Sequence, residues 1–177
     1  IDGTAGNDEI RADAGNDTLW GNFGNDYLDG GLGTDQAEYF NGITAGVRVD
    51  LRIATAQNTI GGGIDRLVSI ENLFGSPLGD RLTGNSVANV LTGNPGDDLL
   101  YGMGGVDTLL GGGDGDTAYG GDGNDDLLGE DGADTLSGDA GDDDLRGAAG
   151  VDRIYGGLGN DRGDGGADGD TWLGGDG

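Results

Sequence analysis

A nine-residue period governs this chain. From Gly93 the units GNPGDDLLY, GMGGVDTLL, GGGDGDTAY, GGDGNDDLL, GEDGADTLS, GDAGDDDLR, GAAGVDRIY, GGLGNDRGD and GGADGDTWL follow one another to Leu173 without a slip. Glycine opens every unit, and aspartate holds position six in every unit. Position eight is aliphatic or aromatic, apart from Ala118 and Gly163. The same frame reads GTAGNDEIR, ADAGNDTLW, GNFGNDYLD and GGLGTDQAE from Gly3 to Glu38, then GSPLGDRLT and GNSVANVLT from Gly75 to Thr92. Repeats of fixed length stack, because one unit cannot bury its apolar face alone.

Between the blocks lie the 36 residues Tyr39 to Phe74, a multiple of nine, so the frame survives the interruption. "VRVDLRI" (Val47 to Ile53) alternates apolar and polar and predicts a half-buried strand. "RLVSIENLF" (Arg66 to Phe74) predicts a second, and its end, Glu71 to Phe74, returns to the nonapeptide pattern. The organisation expected is a repeat block over 1–38, a strand-containing insert over 39–74 and a repeat block over 75–177, in one continuous solenoid. Both ends fall mid-unit, with Ile1 at position eight and Gly177 at position four. With no initiator Met and no signal peptide, the chain reads as a fragment of a longer array.

Each unit divides into a six-residue turn and a three-residue strand. Glycines at positions one, two and four permit positive φ, so the turn curls and aims its carbonyls at one point. Position eight points inward, and seven and nine point outward. Two units then make one coil of 18 residues. Asp98, Asp116, Asp134, Asp152 and Asp170 stack down one edge, and Asp107, Asp125, Asp143 and Asp161 down the other. Leu100, Ala118, Leu136, Ile154 and Trp172 line one inner sheet, and Leu109, Leu127, Leu145 and Gly163 the other. Trp172 is expected to fill the room that Gly163 leaves.

Composition says what must hold such a stack together. Hydrophobic residues are 33% of the chain, glycine fills 44 of 177 positions, and the formal charge is −26. These values describe a disordered acidic polymer unless something neutralises the acids. One leucine-sized group per unit does not offset the ordering of nine residues. Multivalent cations are the natural counter-charge. Calcium takes six to eight oxygens from carboxylates and backbone carbonyls, and two stacked turns can supply them together. The carboxylates expected as ligands are those of Asp8, Asp17, Asp26, Asp35, Asp80, Asp98, Asp107, Asp116, Asp125, Asp134, Asp143, Asp152, Asp161 and Asp170. The carbonyls expected beside them are those of Gly93, Gly96, Gly102, Gly104, Gly111, Gly113, Gly120, Gly121, Gly123, Gly129, Gly132, Gly138, Gly141, Gly147, Gly150, Gly156, Gly157 and Gly159. Asn89, a weaker ligand, stands where one aspartate is due, and Gly79 alters the turn of the Pro77 unit.

The same composition excludes other functions. Eight Lys and Arg cannot neutralise a phosphate backbone, so nucleic acid is not a partner. No run is apolar enough to span a membrane. Cysteine is absent, which removes disulfides and thiolate metal sites. Histidine is absent, which removes the Ser-His-Asp triad and His-bearing zinc sites. Aspartates that recur uniformly form no unique catalytic pair, so any catalysis belongs outside this chain. Asp122, Asp126, Asp139, Asp144, Asp164 and Asp176 lie off position six and read as solubilising charge. Tyr101, Tyr119 and Tyr155 share position nine on one outward edge, either as cross-strand stacks or as a glycan-binding stripe.

These units resemble the RTX (repeats-in-toxin) family, whose signature is G-G-x-G-x-D-x-U-x, with U a large apolar residue. GGDGNDDLL (Gly120 to Leu128) fits every fixed position. The insert is similar too: RTX proteins often carry V-x-V-D-L followed by I-E-N-hydrophobic-x-G-S, here Val47 to Leu51 and Ile70 to Ser76. The resemblance implies a parallel β-roll and export through a one-step, type I channel of a Gram-negative bacterium, unfolded inside and folded outside.

The expectation is therefore an all-β, right-handed parallel β-roll with 18 residues per coil and Ca2+ ions in its turns. It has about ten coils, spans about 48 Å at ~4.8 Å per layer, and binds roughly ten calcium ions. Three roles suit such a roll. It is a calcium-dependent folding and export module of a secreted protein, a structural segment of an extracellular adhesin, surface layer or filament, or an accessory carbohydrate-binding module of a polysaccharide-modifying enzyme. Self-association, including head-to-tail packing, and glycan contact through the outward aromatics are the further partner readings.

Overall fold

The computed structural model describes residues 1–40 and 42–176. Asn41 of the insert and Gly177, read as position four of an unfinished unit, lie outside them. The described residues form strands and turns, with no helix among them. The N-terminal strands are β1 (Glu9–Arg11), β2 (Thr18–Leu19), β3 (Tyr27–Asp29) and β4 (Gln36–Glu38). The insert supplies β5 (Arg48–Asp50), β6 (Gln57–Asn58), β7 (Ile64–Val68) and β8 (Asn72–Phe74). The C-terminal block begins with β9 (Arg81–Thr83), β10 (Val90–Pro95), β11 (Leu99–Gly104), β12 (Thr108–Gly113) and β13 (Thr117–Asp122). It continues with β14 (Asp126–Asp131), β15 (Thr135–Ala140), β16 (Asp144–Ala149), β17 (Arg153–Leu158), β18 (Arg162–Ala167) and β19 (Thr171–Asp176).

Alternate strands belong to opposite faces. One sheet runs β18-β16-β14-β12-β10-β8-β4-β2, and the facing sheet runs β19-β17-β15-β13-β11-β9-β5. All these pairs are parallel. Leu100 pairs with Ala118, Ala118 with Leu136, Leu136 with Ile154 and Ile154 with Trp172. Leu91, Leu109, Leu127, Leu145 and Gly163 align in the same way. Every step in these two columns is 18 residues, so two units make one coil, as the period predicts. The leucines between the sheets are fully buried. The ring of Trp172 lies against Gly163, where a Cβ would collide with it, so the indole fills the space opposite its own sheet.

Two local expectations are corrected. From β10 to β19 each strand has six residues, not three, and covers positions seven to nine of one unit and one to three of the next. The in-out alternation continues through the glycine at position one, which is buried in most units. A glycine carries no apolar side chain, so hydrophobic patterning cannot reveal that extension. Positive φ falls at positions two and four, as expected, but not at position one. The glycine at position one is there for lack of space, as the metal-site geometry below shows.

The insert is spliced into the stack. Strand β8 takes the place of a coil in the eight-stranded sheet, with Leu73 between Ala37 and Leu91. On the other face β7 pairs with β3, and β5 pairs with β9. These two ends meet through the antiparallel β6–β7 pair and an antiparallel bridge between Val47 and Ile60. The stretch expected as one strand, Arg66 to Phe74, is two. Leu67, Ile70 and Leu73 are all buried at a spacing of three, which a strand of period two cannot give, and Ser69 (φ 48°) makes the break. On the outer surface Tyr101 and Tyr119 stack with centroids 5.2 Å apart and planes 9° apart. Arg81 sits 4.8 Å above Tyr101, so the ring faces are turned to one another and to the guanidinium.

At position two, Asn94, Met103, Glu130, Asp139 and Ala148 are left-handed without being glycine. Each such residue costs about 1–2 kcal/mol. Ala148 (φ 81°) is exposed. Ala148→Gly is expected to stabilise the calcium-loaded chain by about 1 kcal/mol. Urea denaturation checks this, and an unchanged or lower midpoint would contradict it.

Candidate metal centre

The turn places the position-six aspartate at the corner of the coil with its carboxylate inside. Asp98, Asp107, Asp116, Asp125, Asp134, Asp143 and Asp152 are all buried. One oxygen of each is fixed by backbone. The N–H of Asp80 donates to Asp98 Oδ1 at 2.6 Å, and that of Asp98 to Asp116 Oδ1 at 2.8 Å. The same bond recurs from Asp107 to Asp125, Asp116 to Asp134, Asp125 to Asp143, Asp134 to Asp152, Asp143 to Asp161 and Asp152 to Asp170. In the N-terminal block it joins Asp8 to Asp26 and Asp17 to Asp35.

The second oxygen has no such partner. Ten carboxylate oxygens are buried without any hydrogen bond: Oδ2 of Asp26, Asp35, Asp98, Asp107, Asp116, Asp125, Asp134, Asp143, Asp152 and Asp161. Leaving a charged acceptor so is costly unless a cation or a proton reaches it. Burial accordingly raises the carboxyl groups of Asp26, Asp98, Asp107, Asp116, Asp125, Asp134, Asp143 and Asp152. Desolvation, with neighbouring ladder aspartates adding repulsion, pushes Asp98 up to about 8 and Asp116 to about 7, against the ladder N–H bonds that lower them. Asp107, Asp134 and Asp143 are pushed up to about 6, again chiefly by desolvation.

The position-one glycine forms the floor of each site. A Cβ on Gly102 would collide with Asp107 Oδ2 and lie 2.6 Å from the carbonyl oxygen of Gly120, one coil on. The same clash recurs at Gly93, Gly111, Gly120, Gly129, Gly138, Gly147 and Gly156. An orphaned carboxylate oxygen and a carbonyl oxygen thus converge where no donor stands between them. The other expected carbonyls lie differently. Gly113 O accepts the N–H of Gly96 at 3.0 Å. The position-four oxygens of Gly123, Gly132 and Gly141 point along the stack at the glycine one coil further on. No cluster of three or more acid side chains gathers at one point among the described residues, so each turn brings carboxylate and carbonyl oxygens together, not a cage of carboxylates.

The insert contributes two ladder members beyond the expected ligands. Asp35 N–H donates to Glu71 Oε2 at 2.9 Å, and Asp26 N–H donates to Asp65 Oδ1 at 3.0 Å. Glu71 stands at position six of the undisturbed frame, so that signal was present; Asp65 lies off the frame. A second ladder runs at position five in the opposite sense. Gly115 N–H donates to Asp97 Oδ1, Asp142 N–H to Asn124 Oδ1 and Asn160 N–H to Asp142 Oδ1.

A family model of the RTX calcium-binding nonapeptide repeat matches residues 2–37 and, in overlapping windows, 74–109, 83–118, 101–136, 110–145, 119–154 and 137–171. The chain belongs to the RTX calcium-binding nonapeptide repeat family. Comparison with curated proteins finds no match. Between residues 2 and 171 the RTX windows leave out 38–73, which holds all of the insert but Phe74. RTX repeats bind calcium, and this RTX β-roll is a structural calcium-binding module, not a catalytic fold. The residues present fit the ion: hard oxygen donors, one of them charged and unpartnered, against a glycine that leaves the room.

Two outcomes are expected. Gly102→Ala places a methyl group in the site and should raise the calcium midpoint several-fold, by about 1–3 kcal/mol of overpacking. Gly104→Ala, whose Cβ would meet nothing closer than 3.7 Å, should leave it unchanged. Calorimetric titration of both variants checks the contrast. Protonation gives the second. Unfolded aspartates titrate near 3.9, whereas Asp98 and Asp116 in the metal-free roll hold protons to about 8 and 7. The folded chain then binds more protons than the unfolded one. Its proton-linked stability is complete below about pH 4 and lost as pH rises through about 6 to 8. In calcium-free buffer, circular dichroism should show more β-structure at pH 5 than at pH 8; equal spectra would remove this reading.

Proposed function

We propose that this RTX β-roll folds on binding calcium outside the cell and serves as a folding, export and stabilising module of a secreted protein. The observation that carries this is the set of ten buried carboxylate oxygens without donors, in a chain of formal charge −26. A chain so charged repels itself when compact. Calcium turns that repulsion into ligation, and its binding energy becomes folding energy. The ligands proposed are the orphaned Oδ2 atoms and the facing carbonyls of the position-one glycines, in two ladders that hold roughly ten ions. The blocks over 1–38 and 75–177 then form one solenoid through the insert.

Export follows from the same switch. A chain that is disordered at low calcium is fit to pass unfolded through a type I channel of a Gram-negative bacterium, and the higher calcium outside folds it after passage. A calcium titration followed by circular dichroism at pH 7.5 tests the core of this reading. The expected result is a disordered spectrum in chelator and a steep gain of β signal at about 0.1–1 mM calcium, the range of extracellular modules. Magnesium should not substitute, because its small octahedral shell dehydrates reluctantly. A roll equally folded in EGTA at that pH would end the proposal.

A further inference from the structure

Position two sorts the turns into two kinds. In all ten units whose Oδ2 is orphaned, position two is left-handed, from Asn22 (φ 63°) through Met103 (φ 84°) to Ala148 (φ 81°). In the units opened by Gly3, Gly75 and Gly84 it is not, and there its backbone N–H turns to the group at position six. Thr4 N–H donates to Asp8 Oδ2 at 2.7 Å, Ser76 N–H to Asp80 Oδ2 at 2.5 Å and Asn85 N–H to Asn89 Oδ1 at 2.7 Å. Asp17, in the unit opened by Ala12, belongs to neither kind.

The closed turns near the insert are fully served by the chain itself. Asp80 Oδ1 also accepts the N–H of Val47 at 2.6 Å and the hydroxyl of Ser76 at 2.8 Å. Its charge faces three donors. Asn89 carries no charge, and its Nδ2 donates to the carbonyl of Glu71 at 2.7 Å. Asp65 Oδ2 accepts the hydroxyl of Thr59 at 2.8 Å. In each case hydrogen atoms occupy the side of the group that a cation would need.

We propose that position two decides which turns take calcium, and that the turns at Asp80 and Asn89, with Asp65, form a calcium-free belt across the roll. The proposal rests on the reading of the orphaned carboxylates as calcium sites. The belt lies where one sheet is interrupted by the insert, so the calcium-bound coils stand on either side of a hydrogen-bonded junction. Asp80, expected from the period to be a ligand, is on this account a structural acceptor, and Asp8 is another.

Ion counting on the full chain tests it. In equilibrium dialysis at saturating calcium, Asp80→Asn should keep the wild-type count, and Asp116→Asn should lose at least one ion. Should Asp80→Asn not fold, anomalous scattering from crystals of the unsubstituted calcium-loaded chain decides the matter. Ions are expected beside the Oδ2 atoms from Asp98 to Asp161, and none within about 2.6 Å of Asp80 Oδ2 or Asn89 Oδ1. An ion at either place, or an ion lost in Asp80→Asn, overturns the belt and leaves the ladder reading intact. An unchanged count in Asp116→Asn overturns the ladder reading, and the belt with it.

Discussion

Each coil is governed by one unfinished interaction: a buried carboxylate with one oxygen tied to backbone and the other tied to nothing in the chain. The tied oxygen fixes the geometry. Because each Oδ1 accepts from the position-six N–H one coil back, the carboxylate cannot swing out to water without breaking the stack. The free oxygen supplies the demand. Inside a low-dielectric coil, that demand is met only by a proton or a metal ion. A protein whose core were simply oily would have no such requirement. Here the apolar column of Leu109, Leu127 and Leu145 aligns the strands, while the carboxylate corners decide whether the aligned state is tolerable.

Glycine at position one and left-handed backbone at position two are two parts of the same device. The glycine removes the one atom, Cβ, that would fill the space beside Oδ2. The left-handed residue turns its N–H away from the carboxylate, at a conformational cost that Met103, Glu130 and Ala148 bear without the excuse of being glycine. Local strain therefore keeps the space beside Oδ2 free of the chain's own donors. Where the backbone relaxes, at Ser76 and Asn85, the chain closes the site with its own N–H groups.

Much of this was legible in the sequence because it repeats. A residue that recurs every nine positions announces its place in a coil, so the pairing of Leu100 with Ala118 and the stacking of Asp98 on Asp116 follow from counting alone. Glu71 was legible in the same way, as the position-six member of the undisturbed frame. What does not repeat was not legible. Asp65 meets Asp26 across a detour that no period describes. The strand extension into positions one to three is carried by glycines, which give no hydrophobic signal. The two kinds of turn are hidden as well, because asparagine serves both: Asn22 and Asn94 are left-handed at position two, and Asn85 is not.

The placement of the closed turns follows from the topology. On the face that carries β5 and β9, the ladder cannot pass through the insert as it passes elsewhere. Asp65 receives the N–H of Asp26, but the next member, Asp80, receives the N–H of Val47 and not that of Asp65. The column of carboxylates is broken on the N-terminal side of Asp80, while its C-terminal side keeps the regular step to Asp98. A carboxylate left open at that break would carry the penalty of burial without a ladder member on one side. Ser76, Thr59 and the amide of Asn89 remove the penalty by hydrogen bonding instead. The insert and its neighbouring units thus meet by polar satisfaction the demand that the rest of the roll leaves to a cation or a proton, and the change falls where the repeat is interrupted.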